Sequence, residues 1–336
     1  MNSLREALNL DRLLLMHTFA RAVETGSFSA VAREQGIGQP NVSRHVAALE
    51  QYLGTRLLHR STRKLTLTPE GERYYVEARR VLDAVDEAES NARGEEKPSG
   101  LLRVACPTAL GRTHLMPWTK TLLERYPAMD VDLQVEDRFI DLVEEGVDVA
   151  IRIGTLQDSM LKARRIGTAE RVCVASPEYL AAHPAPVVPE DLLRHNCIVY
   201  SLARSGNTWR FRTAETEVSG RLKVNTPDGI YRAVLDGLGI AYAPVWLFEK
   251  ELQTGAVEPL LLNEMGPAAP IHIVYPAKRL LPRRASAFMD FIAEQFSGNP
   301  VLNQGALARL VGVRRLRAAT PSAVCHYNRN SPRRAL

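Results

Sequence analysis

The chain has 336 residues, 45% of them apolar, 24% charged and 6% aromatic, and carries a formal net charge of +5. Such a length predicts two or three domains with sizeable cores. The longest apolar runs, such as Leu13 to Met16 and Ala233 to Leu235, are far short of a membrane span, and no basic-then-apolar leader precedes the first helix. The expectation is a soluble, cytoplasmic protein with no membrane partner. Cys106, Cys173, Cys197 and Cys325 show no paired spacing, which predicts reduced, mostly buried thiols in place of disulfides or a metal site.

The positive charge is local. Residues 297–336 hold seven arginines and no acid, so residues 1–296 are net −2, and within them residues 1–69 hold nine basic against five acidic side chains. Residues 70–96 hold four basic against nine acidic. A cationic patch confined to the N-terminal segment suits a module that meets phosphates.

In that segment, Ser29 to Gln35 is a short helix whose small Ala30 and Ala32 let another helix approach. The turn Gly36-Ile37-Gly38 follows. The next helix has Pro40 in its first turn, where a missing N–H costs nothing, and apolar Val42, Val46, Leu49 and Leu53 at helical spacing. Gln39, Asn41, Ser43, Arg44 and His45 lie between them on the outward face. Helix, glycine turn and polar-faced helix form a helix-turn-helix. Leu65 and Leu67 then alternate with Lys64, Thr66 and Thr68, which suits a β wing holding Arg60, Arg63 and Lys64 toward phosphates. DNA-contacting candidates are therefore Ser29, Gln39, Pro40, Asn41, Ser43, Arg44, His45, Arg60, Arg63 and Lys64.

The order of residues resembles the LysR-type transcriptional regulator family. The match runs through Phe19, Thr25-Gly-Ser-Phe-Ser-Ala, Gln39-Pro40, Ser43-Arg44-His45, Leu49-Glu50, Leu53-Gly54, Arg56-Leu-Leu, Arg60 and Leu67-Thr-Pro-Glu-Gly71, and continues to about Phe296. Two positions depart from the family pattern: Gly38 replaces the usual capping serine, and Leu58-His59 replaces Leu-Phe. The resemblance implies a transcription factor that binds double-stranded operator DNA, responds to a small-molecule effector, assembles as a homodimer or homotetramer and meets RNA polymerase.

Pro69 to about Arg93 reads as one long helix, with Pro69 at its start, Glu70 and Glu72 in the first turn and Gly94 ending it. Tyr75, Ala78, Leu82 and Val85 repeat at coiled-coil spacing, and by resemblance this seam pairs with a partner's linker helix. Glu95 to Gly100 is a polar hinge. Beyond it strands and helices alternate: strand Leu101 to Cys106, helix Thr108 to Tyr126, strand Asp130 to Val135, helix Phe139 to Glu145, strand Val147 to Ile153. The alternation continues with strands Arg171 to Ala175 and Ile198 to Ser201, a hairpin over Thr208 to Val224, helix Gly229 to Leu238, strands Ile240 to Ala243 and Ile271 to Tyr275, and helix Arg283 to Phe296. This is a doubly wound α/β pattern.

The expected organisation is a winged helix-turn-helix over residues 1–69, a linker helix and hinge over 70–97, and an effector domain over 98–296. By resemblance the effector domain is of periplasmic-binding-protein type. Subdomain I takes about 98–168 plus 276–296, and subdomain II about 169–275, with crossovers near Arg171 to Ala175 and Ile271 to Tyr275. The tail 297–336 reads as basic and disordered, apart from a short helix over Ala306 to Arg317.

No nucleophile elbow, phosphate-cradling loop or zinc-protease motif is present, the eight histidines are scattered, and Gly237-Leu-Gly239 lacks the third glycine of a dinucleotide loop. Neither enzymatic activity nor a cofactor or metal is expected. Ligands of doubly wound sheets sit beyond the carboxyl ends of the strands. The candidates there are Pro107 and Thr108, Arg152, Ser201, and Asn225, Pro227 and Asp228. A helix terminus at Thr108 with Arg152 nearby suits an organic anion.

Overall fold

The computed structural model describes residues 12–59, 65–92, 97–156, 161–203, 205–277, 281–310 and 312. Two compact units divide the chain: Met1–Gly167 with Pro270–Phe296, and Thr168–Ala269 with Ser297–Leu336.

The first unit opens with helices α1 (Arg12–Thr25), α2 (Phe28–Gln35) and α3 (Gln39–Leu53). Ser27 caps α2 by accepting the Ala30 N–H at 3.3 Å, one turn-setting residue earlier than the pattern suggested. Gly36, at φ 65°, ends it in the left-handed region that favours glycine. Gly38 caps α3 without a side-chain bond, as its missing hydroxyl requires, and Pro40 sits in the first turn. Leu15, Phe19, Val46, Leu49, Leu57 and Leu58 form one buried cluster, and Ala22, Val31, Ala32 and Val42 another, so the apolar stripes of all three helices face inward.

The wing is an antiparallel pair, β1 (Leu58–His59) and β2 (Thr66–Leu67), with Leu58 opposite Leu67 and His59 opposite Thr66. Leu58 turns inward and His59 outward, so the departure at position 59 falls on the exposed side. The buried Glu50 carboxylate accepts the N–H groups of Leu57 (2.8 Å) and Leu58 (3.1 Å), fixing the chain as it enters the wing. Thr68 donates its hydroxyl to Arg56 O at 2.7 Å and accepts the Gly71 N–H at 2.9 Å, while its own N–H donates to Leu57 O at 3.0 Å. The following helix comes so close that a Cβ on Gly71 would stand 2.0 Å from Leu57 O.

That helix is α4 (Pro69–Ala92). The expected seam needs correcting. Ala78 and Leu82 are buried, at 0% and 8% exposure, and α4 packs along α1. The apolar stripe left outward lies one position earlier: Val81 (43% exposed), Ala84 and Ala88, with Tyr74 half-buried.

A five-stranded sheet follows, in the order β4 (Met129–Val135), β3 (Gly100–Cys106), β5 (Val149–Ile153), β14 (Ala269–Pro276), β6 (Leu161–Ala169). β3 runs parallel to β4 and β5, and β14 runs antiparallel to β5. Helix α5 (Thr108–Leu110) continues through a π turn (Gly111–Leu115) into α6 (Met116–Arg125). Gly111 is required there: a Cβ would meet Val135 Cγ1 at 2.5 Å and Cys106 Sγ at 2.8 Å. The expected helix over Phe139 to Glu145 is instead a single turn, since the Asp141 carboxylate captures the N–H groups of Val143 and Glu144 and Gly146 (φ 67°) reverses the chain. Helix α10 (Arg283–Gly298) closes the unit, Trp118 meeting Phe296 edge-on at 5.5 Å.

In the second unit, β7 (Arg171–Ala175) lies between β12 (Ala241–Pro244) and β13 (Glu258–Leu260), antiparallel to both. β8 (Val199–Tyr200) pairs in parallel with β11 (Lys223–Val224), and a parallel bridge from Cys197 to Ile240 joins them to β12. The order β11-β8-β12-β7 thus repeats β4-β3-β5-β14 of the first unit, three parallel strands and an antiparallel fourth. The hairpin is shorter than the expected Thr208 to Val224, pairing β9 (Thr208–Arg210) with β10 (Glu215–Glu217). Two boundaries also shift. β7 is an inner strand of the second sheet, the chain having already passed between units after Gly167, and residues 270–276 belong to the first sheet.

Helices α7 (Pro177–Ala182), α8 (Pro227–Leu235) and α9 (Glu249–Thr254) complete the unit. The tail reading is corrected for residues 300–310. Val301, Leu302, Ala306, Leu307 and Leu310 are all buried, and the Glu170 carboxylate accepts the N–H groups of Gly305 and Leu307. Residues 313–336, Cys325 among them, lie outside the described residues. Cys106, Cys173 and Cys197 are buried, and burial pushes the Cys106 and Cys197 thiols up to about 12. Among the described residues no helix is long and apolar enough to cross a membrane, and no cluster of three or more His, Cys, Asp or Glu could hold a metal ion.

Candidate DNA-binding surface and ligand residues

The helix-turn-helix presents α3 with one face locked into the core. Gln39, Pro40, Ser43 and Arg44 are exposed on the other, Asn41 is half-buried, and Ser29 is exposed in the first turn of α2. Among the described residues Gln39, Ser43 and Arg44 make no side-chain hydrogen bond or ion pair within the chain, so their polar ends are available outward. His45 differs. Its Nδ1 lies 3.3 Å from the hydroxyl of buried Thr18, which donates to Gln35 Oε1 at 3.3 Å. With the hydroxyl proton on Gln35, His45 donates from Nδ1, and the ring ties α3 to α1 and α2. Sequence reading missed this support, and it missed the anchoring role of Glu50, although Glu50 stood in the quoted motif. Arg60, Arg63 and Lys64 lie outside the described residues.

The ligand candidates of the first unit stand at the carboxyl ends of β3 and β5. The Thr108 N–H, expected to face an anion, already donates to Asp137 Oδ1 at 3.0 Å. Asp137 arrives from the end of β4 and serves as the cap that Pro107 lacks, which adds a negative charge beside the Cys106 thiol. The Arg152 guanidinium donates to Ile140 O at 2.6 Å and stacks 3.7 Å over the ring of Phe139, itself 67% exposed. It therefore braces the turn after β4. In the second unit Ser201 is exposed just after β8, its N–H donating to Val224 O at 2.8 Å. Asn225 is exposed after β11, Thr226 caps α8 through the Gly229 N–H at 3.2 Å, and Pro227 and Asp228 occupy the first turn. Ser201 and Asn225 thus follow adjacent parallel strands, a pairing that the expected hairpin over Thr208 to Val224 had not included.

Residues 13–72 match the model of the bacterial regulatory helix-turn-helix protein, lysR family, and residues 95–297 match the LysR substrate binding domain. The chain belongs to the LysR family. Among its curated relatives, the transcriptional regulator PtxR of Pseudomonas aeruginosa is 33% identical over 305 residues, covering 89% of this chain and 98% of that protein. The solved structure of CrgA, a LysR-type transcriptional regulator from Neisseria meningitidis, is 33% identical with a TM-score of 0.57, covering 85% of this chain and 98% of that one. Full-length AphB, a virulence activator of Vibrio cholerae, is 29% identical with a TM-score of 0.53, covering 84% and 98%. This LysR-family protein is a DNA-binding transcriptional regulator with a substrate-binding domain, and the relatives it matches are regulators.

Proposed function

We propose that α3 is the recognition helix of this regulator, that its operator has two half-sites, and that a small organic molecule bound by the substrate-binding domain sets operator occupancy. The observation that carries the reading is the division of α3 into a buried apolar face and an outward face of Gln39, Pro40, Ser43 and Arg44. Gln39 is suited to adenine, Pro40 to a thymine methyl and Arg44 to guanine or phosphate. Arg60, Arg63 and Lys64 add sequence-independent phosphate contacts.

Two copies joined through the exposed Val81, Ala84 and Ala88 stripe of α4 would present two such helices to half-sites one helical turn apart or multiples of it. Further pairing gives a tetramer. An anionic group of the ligand would be met at the first turn of α8, by Asn225 and Ser201, or by Arg152, because Asp137 holds the Thr108 amide.

A gel-shift with the DNA upstream of the protein's own gene tests the regulator reading, and a retarded complex displaced by unlabelled operator but not by scrambled DNA supports it. A thermal-shift screen of organic acids and amines on the full chain tests the ligand. At a hundred times its dissociation constant a hit stabilises the fold by about 2.7 kcal/mol. A hit whose shift is unaffected by both Asn225→Ala and Arg152→Ala places the ligand elsewhere.

A further inference from the structure

Within the first unit, a band of charged side chains runs from the end of α1 to the sheet. On the head side, Glu24 of α1 pairs with Arg79 of α4 at 3.2 Å and with Arg21, while Asp83 of α4 pairs with Arg79 at 3.5 Å. On the sheet side, Arg103 of β3 pairs with Asp132 of β4 at 3.6 Å, and Arg284 of α10 lies 4.0 Å from Asp148. Across the joint, Arg103 donates to the Tyr75 hydroxyl at 3.0 Å and lies 3.6 Å from Glu24, and Tyr75 donates on to Glu24 at 3.1 Å. Arg284 pairs with Asp83 at 2.9 Å, and Arg80 donates to Val143 O. Val76 of α4 lies beside Gly146, which has no side chain to pack.

The distribution of partners sets what separation would cost. A buried ion left alone is expensive, because its desolvation is no longer offset. Here each ion would still have an opposite charge within 4.0 Å. Arg103 keeps Asp132 and Arg284 keeps the 4.0 Å approach to Asp148, without a hydrogen bond, while Glu24 keeps Arg21 and Arg79 and Asp83 keeps Arg79. Each half is balanced by itself, and the contacts named across the joint are polar or charged, as in interfaces that open and close.

We infer that the Glu24–Tyr75–Arg103 and Asp83–Arg284–Asp148 contacts form a reversible latch that docks the DNA-binding head on the first effector subdomain, with Arg103 releasing Tyr75 and Glu24 and keeping Asp132 as it opens. β3 ends at Cys106, two residues before Thr108, and Asp148 immediately precedes β5, which carries Arg152, so the latch adjoins the strands that lead to the first unit's ligand candidates. A ligand that shifts these strands would alter the latch only by binding its two states unequally.

The experiment measures spin-label distances in the full chain, with labels at Gln51→Cys and Lys120→Cys in a Cys325→Ser background, diluted with unlabelled chain so that each distance is within one protomer. Arg103→Met removes the docked contact and should enlarge the long-distance population roughly tenfold, the weight of one charge-assisted hydrogen bond. Asp132→Asn removes the partner that Arg103 shares with Tyr75 and Glu24 when docked but depends on when open, so it should shrink that population, and Arg103→Lys should fall between Arg103→Met and the parent. Opposite signs from two neighbouring substitutions are not expected of residues that merely support the fold. Unchanged distributions, or the same direction in both variants, would overturn the latch. Asp132 is 44% exposed, so its substitution keeps the test valid should Arg103→Met fail to fold.

Discussion

Gly71→Ala perturbs the wing without touching any DNA-facing side chain. The added methyl would stand 2.0 Å from Leu57 O, about 1.4 Å inside ordinary contact distance, and the atom it meets is backbone, which cannot rotate away. Either the first turn of α4 or the strand entry at Leu57 must move. Leu57 O accepts the Thr68 N–H at 3.0 Å, and the N–H groups of Leu57 and Leu58 are held by buried Glu50, so a shift of that size breaks two or three hydrogen bonds together. At about 1 kcal/mol each, with about 1–3 kcal/mol for overpacking, the local cost is about 3–6 kcal/mol. Amide exchange read by mass spectrometry should show Leu57, Leu58 and Thr68 losing protection while the peptides of β3 and β7 keep theirs. Operator affinity should fall in parallel. Full protection at those three amides, with unchanged affinity, would refute the reasoning.

The remaining predictions are these. Val81→Asp should give smaller species in sedimentation and weaker operator binding, because it charges the exposed stripe of α4; Leu82→Asp should chiefly destabilise the chain, because that side chain is only 8% exposed within the protomer. Equal effects on assembly from both would return the seam to Leu82. His114 is buried against Trp118, and burial lowers its pKa to about 4. The unfolded chain then binds the proton more readily between that value and the usual 6.5, so its contribution is complete above about pH 6.5 and is lost toward pH 4, up to about 3 kcal/mol. The fall in melting temperature from pH 7 to pH 5 should accordingly be smaller for His114→Leu, and an equal fall would exclude this group as its cause.

Much of the head was legible because its signals are local. Apolar residues at helical spacing, a glycine turn, and a proline at a helix start each act within a few residues. The errors arose where a distant partner decides. The period of α4 allows two apolar stripes one residue apart, and only the tertiary packing of the chain makes Ala78 and Leu82 the inner one. Phe139 to Glu145 has helical composition, but Asp141 competes for the backbone and Gly146 stops the chain after one turn. Thr108 was correctly placed at a helix start, yet its amide is taken by Asp137, twenty-nine residues away and invisible to any local window. The same holds for Glu50, whose carboxylate acts seven and eight residues downstream.

The direct test of the central claim compares operator DNA with scrambled DNA of equal length, at fixed salt, for the parent chain, Gln39→Ala and Arg44→Ala. If α3 reads bases, Gln39→Ala should cost about 1–3 kcal/mol on the operator and nothing on scrambled DNA, with relaxed preference at one base pair of each half-site. Arg44→Ala should weaken the operator at least as much as the scrambled duplex. Operator affinity unchanged in both variants, or reduced equally on both DNAs by Gln39→Ala, would contradict the assignment of α3 as the recognition helix.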